Sequence, residues 1–287
     1  MLLLVWAATG LVAEAAVPPA VSLAIASDGA VLDEWGAPLT GTDPEADTLG
    51  LTVVAGDLVQ VFSTADGIAY PPAVDGTPDL RTVLVKTWAV GRGAAMDDAC
   101  SGRFGLVLTP RPAGGTRLFV RVFNATSLAD ASFYADSQVF TVSAVSNQPF
   151  IARFSAMAPL DTGDSDADGL MNAWERSMGT DPGVADSDGD GLTDAEEVLA
   201  GTDPRNGASV FEAGGLQTLT AGQFVLQWPT VTGRTYHVEQ WLDGDDAGYQ
   251  AVATLTGNGG RREIVVPGSA AGFAHIRIRV EPAGAAE

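Results

Sequence analysis

The sequence predicts a mainly β protein: two antiparallel β-sandwich domains joined by an acidic segment of loops and short helices. Three observations predict it. From about Val17 to Met157, short runs rich in Val, Leu, Phe and Thr are separated by Gly-, Pro- and Asp-rich turn clusters. The same style returns from about Ala208 to the end. Between them, from Asp161 to Asn206, there are 13 acidic residues and only two basic ones, Arg176 and Arg205. That segment carries about half of the net charge of −21. A length of 287 residues suits about two domains. The expected boundaries are 1–16 for a cleaved leader, 17–158 for the first sandwich, 159–206 for the acidic segment and 207–287 for a smaller second sandwich.

The first element is the stretch "MLLLVWAATGLVAEAAVPPA". Its apolar run is too short to span a bilayer. It ends in Ala13-Glu14-Ala15, a small-x-small pattern that suits signal-peptidase cleavage after Ala15 or Ala16, although no Lys or Arg precedes the run. A secreted or cell-surface protein with no stable membrane span after cleavage is expected. The single cysteine, Cys100, cannot form an internal disulfide.

The strands of the first sandwich are expected in "VSLAIA", "LTVV", "DLVQVFS", "TVLVKTWAV", "FGLVLT", "TRLFVRVF" and "SQVFTVSA". In "TRLFVRVF", Leu118, Val120 and Val122 share one face. Phe119, Arg121 and Phe123 share the other, so both faces are expected to be covered. In the second sandwich, "QFVLQW" places Phe224, Leu226 and Trp228 on one face. "AHIRIRV" places Ala274, Ile276, Ile278 and Val280 inward, with His275, Arg277 and Arg279 outward. "TGNGGRR", between "AVATL" and "EIVV", reads as a hairpin turn.

The acidic segment writes one phrase twice: "DSDADGLMNAWERSMGTDP" from Asp164 and "DSDGDGLTDAEEVLAGTDP" from Asp186, 22 residues later. Counted from its first Asp, each fits the twelve-residue loop D-x-[DN]-x-[DN]-G-x5-E. Positions 1, 3, 5, 9 and 12 are Asp164, Asp166, Asp168, Asn172 and Glu175 in the first loop. In the second they are Asp186, Asp188, Asp190, Asp194 and Glu197. Leu170 and Leu192, at position 7, offer a backbone carbonyl. The spacing suits Ca2+, a hard cation that takes six to eight oxygens. Four or five carboxylates held this close repel one another unless a divalent cation lies among them, so two calcium ions are expected. Each loop leads into a short helix, "NAWERSM" or "DAEEVLA", stopped by Gly179 or Gly201, with Pro182 or Pro204 beyond. No helical pattern precedes the first loop.

These two phrases resemble bacterial thrombospondin type 3 repeats, which implies calcium ligation by the residues just named within a rod-like connector. The stretches "FVLQWPTVTGRTYHVEQW" and "FAHIRIRV" are similar to small β-sandwich modules of exported bacterial proteins. A dockerin-like module, with its own repeated calcium loop and helix, is the nearest rival. Dockerins place an apolar residue at position 8, where this chain has Met171 and Thr193, and usually Asp at position 12, where it has Glu.

The composition excludes a nucleic-acid partner: Lys plus Arg number 15 against 36 Asp plus Glu. Only two His residues exist, His237 and His275, and no nucleophile, phosphate-loop or zinc motif is present. A non-enzymatic structural or adhesion protein is therefore expected, with calcium and an unknown cell-surface protein or polysaccharide as partners. The alternatives are a carbohydrate-binding accessory module, with Trp35, Trp88 and Trp241 as the aromatic candidates, and a hydrolase using paired carboxylates. An exposed aromatic row on one sheet would favour the carbohydrate reading.

Overall fold

The computed structural model describes residues 22–41, 56–91, 102–144, 148–218, 223–242, 248–267 and 274–282. The expected leader, the "LTVV" strand and Cys100 lie outside them. The chain forms two compact units, Met1–Thr162 and Gly163–Glu287. No helix among the described residues is long and apolar enough to cross a membrane.

The first unit is a β-sandwich. Its strands are β1 (Leu23–Ser27), β2 (Leu58–Thr64), β3 (Thr82–Ala89), β4 (Gly105–Leu108), β5 (Arg117–Phe123), β6 (Phe133–Asp136), β7 (Phe140–Thr141), β8 (Phe150–Ala152) and β9 (Ala158–Pro159). One sheet has the order β4-β1-β8. The other has the order β3-β2-β5-β6-β9, with β7 also on β5. All pairings are antiparallel except β1 with β8, where Ile25 lies opposite Phe150 in a parallel register. Period-two alternation builds the core between the sheets: Ile25 of β1, Val59 and Val61 of β2, and Leu118, Val120 and Val122 of β5 are buried together.

The opposite face of β5 is buried too, as its Phe-Arg-Phe pattern implies. Phe119, Arg121 and Phe123 are all fully buried. A buried guanidinium must be paired. Arg121 donates through Nε and Nη2 to the two carboxylate oxygens of Asp136, each at 2.7 Å, and through Nη2 to the Tyr70 carbonyl at 2.6 Å. The rings of Phe62, Phe119 and Tyr134 surround it at 4.9–5.5 Å.

The second unit contains two helices, α1 (Asn172–Met178) and α2 (Asp194–Ala200), followed by six strands. These are β10 (Gly214–Thr218), β11 (Gln223–Pro229), β12 (Thr235–Leu242), β13 (Gln250–Thr256), β14 (Arg261–Pro267) and β15 (Ala274–Glu281). Two three-stranded sheets, β10-β11-β14 and β13-β12-β15, make the smaller sandwich. Leu226, Trp228, Tyr236, Val238 and Val266 form its core, with Ile276, Ile278 and Val280 packed against them. His275, Arg277 and Arg279 are exposed, as the alternation requires.

The expected hairpin at 256–262 is not one. β13 pairs with β12 and β14 pairs with β11, so residues 257–260 carry the chain from one sheet to the other. The same Gly-Asn-Gly-Gly chemistry serves both kinds of turn; tertiary packing chose the crossing. Gly257 lies against the 231–234 turn, where a Cβ would stand 2.0 Å from the Val231 carbonyl oxygen. Its amide donates to the Arg234 carbonyl, and its carbonyl accepts from the Gly233 amide.

Helix α2 packs on this sandwich. A Cβ at Gly201 would stand 2.5 Å from a Val231 methyl. Arg234 Nη1 donates to the carbonyl of Leu199 in the last turn of α2, where a cation also complements the helix dipole.

Candidate metal centre

Both acidic loops fold by the same local hydrogen bonds. The carboxylate at position 1 accepts two amides: Asp164 from Ala167 and Gly169 at 2.8 and 3.1 Å, Asp186 from Gly189 and Gly191 at 2.8 and 3.0 Å. Position 3 accepts the amide of position 5, at 3.3 Å for Asp166 and 3.2 Å for Asp188. Position 5 accepts the amide of position 7, Asp168 from Leu170 at 2.7 Å and Asp190 from Leu192 at 2.9 Å. Asp is the side chain that makes such turns, because its oxygen reaches an amide two residues ahead. The result gathers the oxygens: ligand atoms of Asp164, Asp166 and Asp168 lie within 4.8 Å of one another, and so do those of Asp186, Asp188 and Asp190.

The backbone turns through the left-handed region at positions 4 and 6. Gly189, Gly169 and Gly191 serve there, and at position 4 of the first loop Ala167 does so with φ 64°. Each loop closes where the amide of position 9 donates to the residue just before the loop, Asn172 to Gly163 and Asp194 to Ala185, both at 2.8 Å.

Position 8 is the helix N-cap. Met171 gives α1 no side-chain cap, whereas Thr193 and Glu196 give α2 a reciprocal capping box. The signal Thr-x-x-Glu stands in the sequence and marks the start of α2. Each helix ends on a glycine in the left-handed conformation, Gly179 or Gly201.

Position 12 lies inside the first turns of each helix. Glu175 and Glu197 are both 0% exposed. Neither carboxylate has a hydrogen-bond partner on either oxygen, and Asp166 Oδ2 and Asp188 Oδ2 are buried and unpartnered as well. Burial, and then the charges of Asp166, Asp168, Asp194 and Asp164, push the Glu175 carboxyl up to about 7. Burial chiefly raises Glu197, the Thr202 hydroxyl opposes it, and the charges of Asp188, Asp190 and Asp194 add to the rise.

Two buried carboxylates with no donors, each beside a triplet of carboxylates, oppose folding as they stand. A hard divalent cation fits this donor set: every candidate group is oxygen, with no imidazole or thiolate to favour zinc. Asp164, Asp166, Asp168 and Glu175 would hold one ion, and Asp186, Asp188, Asp190 and Glu197 the other.

The position-9 side chains are engaged differently. Asn172 Oδ1 accepts the Ser165 amide at 3.0 Å. Asp194 accepts the Ser187 amide at 2.9 Å and its hydroxyl at 2.7 Å. Both therefore brace position 2 of their own loop. A bond that sequence reasoning missed joins the repeats: Asp168 Oδ2 accepts the Ala195 amide of α2 at 2.9 Å. No local signal announces it, because its partners are 27 residues apart.

Residues 164–183 and 186–206 each match the family model described as bacterial TSP3 repeat. The two matches coincide with the phrases that resemble thrombospondin type 3 repeats, so the acidic segment consists of two such repeats. No curated protein and no solved structure matches the chain.

Proposed function

We propose that this chain is a secreted, non-enzymatic structural protein in which two calcium ions order the acidic segment 159–206 between two β-sandwiches. Its place is the cell surface, in architecture or adhesion, with a surface protein or polysaccharide as partner. One observation carries the calcium reading: Glu175 and Glu197 are fully buried with all four carboxylate oxygens unpartnered, at the one loop position where a bidentate ligand is required.

Calcium, when bound, supplies the positive charge that offsets the converging carboxylates. The chain's own residues do the rest. Backbone amides hold Asp164 and Asp186 in place, and α1 and α2 fix Glu175 and Glu197 in depth. The carbonyls of Leu170 and Leu192 complete the loops, and Asn172 and Asp194 keep them closed through Ser165 and Ser187. Ligand binding of this kind stabilises whatever fold presents the ligands. The match of both loops to the bacterial TSP3 repeat supports this reading.

Native mass spectrometry of the calcium-loaded chain tests the reading. Two specifically bound ions are expected, and Glu175→Ala or Glu197→Ala should each leave one. Finding no bound ion in the unmodified chain would remove the central claim.

A further inference from the structure

Helix α2 carries the buried carboxylate of Glu197, yet it has only seven residues. So short a helix does not persist by its own hydrogen bonds and takes its position from what it packs on. The structure holds it at both ends. At the first turn, the Ala195 amide donates to Asp168 Oδ2 of the first loop at 2.9 Å. At the last, the Leu199 carbonyl accepts from Arg234 Nη1, and Gly201 lies against a Val231 methyl. Glu197 stands midway between these tethers. Its own carbonyl accepts the Gly201 amide at 2.7 Å and the Thr202 amide at 3.0 Å. The residue seated on Val231 is thus bonded directly to the backbone of Glu197.

Arg234 belongs to the sandwich, in the turn before β12, 35 residues from its partner on α2. Among the described residues no carboxylate pairs with it; the helix carbonyl is its partner. The first repeat shows what it stands for. Gly179 follows α1, and a Cβ there would meet Arg205 Nη1 of the second repeat at 3.2 Å. Gly201 is its counterpart after α2, and a Cβ there would lie 4.0 Å from Arg234 Nη1. Each helix therefore ends beside a guanidinium. The next repeat supplies the first, and the sandwich supplies the second. Helix α2 depends on it more: α1 carries Arg176 in its last turn, whereas α2 has no basic residue of its own there. The repeats and this sandwich belong to one compact unit.

We propose, resting on the calcium reading above, that Arg234 is a positioning residue for the second calcium site, with the C-terminal sandwich standing where a third repeat would. Arg234 acts through the helix backbone rather than on a ligand oxygen. It fixes the depth at which α2 presents Glu197, and Val231 seats the end of the same helix. Linkage makes the effect reciprocal: calcium held by Glu197 favours the docked position of α2 and so stabilises the sandwich it docks on.

Calorimetric calcium titration of the full chain tests the proposal, with Glu175→Ala isolating the second site and Glu197→Ala the first. Groups that orient a metal ligand from behind are worth about 10–100-fold in affinity. Arg234 acts one step further away, so Arg234→Ala should weaken the second site about three- to tenfold and leave the first within about twofold. Arg234→Lys should restore part of the loss. Arg277→Ala, on the same sandwich but paired with Glu239, should cost nothing. Circular-dichroism melting separates positioning from stability alone: calcium should raise the melting temperature of the parent chain, and raise it less in Arg234→Ala. Val231→Ala should weaken the second site in the same sense, which keeps the test decisive if Arg234→Ala does not fold. Three results would each overturn the proposal and leave the calcium reading standing: second-site affinity unchanged in both alanine variants, equal losses at the two sites, or a calcium-induced melting shift as large as the parent's. A parent chain that binds no calcium would overturn both.

Discussion

Ala167→Gly should tighten the first calcium site roughly two- to fivefold. Both loops turn through the left-handed region at position 4, with φ 64° at Ala167 and 78° at Gly189, and Ala167 is the only non-glycine residue with positive φ among those described. An L-residue there is disfavoured by about 1–2 kcal/mol. Glycine's greater freedom in the open loop takes back about 0.4–1 kcal/mol of that. The net preference for glycine in the closed loop is thus about 0.5–1 kcal/mol, and each 1.4 kcal/mol is about a factor of ten in Kd. The converse change isolates the same quantity. A Cβ built at Gly189 meets nothing within 4 Å, so Gly189→Ala carries the backbone term with no clash, and the second site should weaken by a similar factor. Calorimetric titration of calcium into the two variants and the parent chain measures both. Shifts of the same sign, or none at either site, would refute the argument that position-4 strain is felt in binding. The same features rank the sites. The second loop has glycine at position 4, a capped helix and a fifth carboxylate in Asp194, so it should bind tighter, and Glu197→Ala should cost more affinity than Glu175→Ala.

Two further outcomes are expected. Gly201→Ala forces a side chain into left-handed backbone and against Val231, so it should destabilise the second unit by about 2–3 kcal/mol; an unchanged melting curve would mean that the α2 contact is dispensable. Asp57 is buried, and that burial, against the Thr40 amide and with Glu34 and Asp33 nearby, raises its carboxyl from 3.8 to about 6. A carboxyl raised in the fold opposes folding above that value and not below the unfolded one. Asp57→Asn should therefore stabilise the first unit at pH 7, with the gain shrinking as pH falls through 6 and vanishing near 4; a gain independent of pH would refute the assignment.

What could be read in advance follows from the range of each interaction. The acidic loops are local: apart from the Asp168–Ala195 bond, the bonds that shape them span at most nine residues, and the spacing of Asp, Gly and Glu displays them directly. The strand faces are equally local, and the Leu118-Val120-Val122 and Ile276-Ile278-Val280 stripes lie where alternation places them. Pairing is not local. The parallel β1–β8 contact joins residues 125 positions apart, from Ile25 to Phe150, and nothing in either strand names the other. The turn at 257–260 misled for a related reason, since its glycines answer a contact with Val231 rather than the demands of a hairpin. Asn172 and Asp194 fit the motif by type; their bonds to Ser165 and Ser187 are equally local, seven residues apart, but the motif does not name them.

The junction between repeats is written a second time at the end of the array. The Asp181 amide donates to Ser187 Oγ at 3.2 Å, and 22 residues later the Asp203 amide donates to Ser209 Oγ at 2.9 Å. The second repeat thus ends on the same socket that the first offers to its successor, although no third loop follows. The array has a fixed pitch, like links of a chain with a common coupling. One whole link of 22 residues added between Asp181 and Ser187 would find its coupling at both ends and leave the docking of the last helix untouched. An insertion that is not a whole number of links would break one.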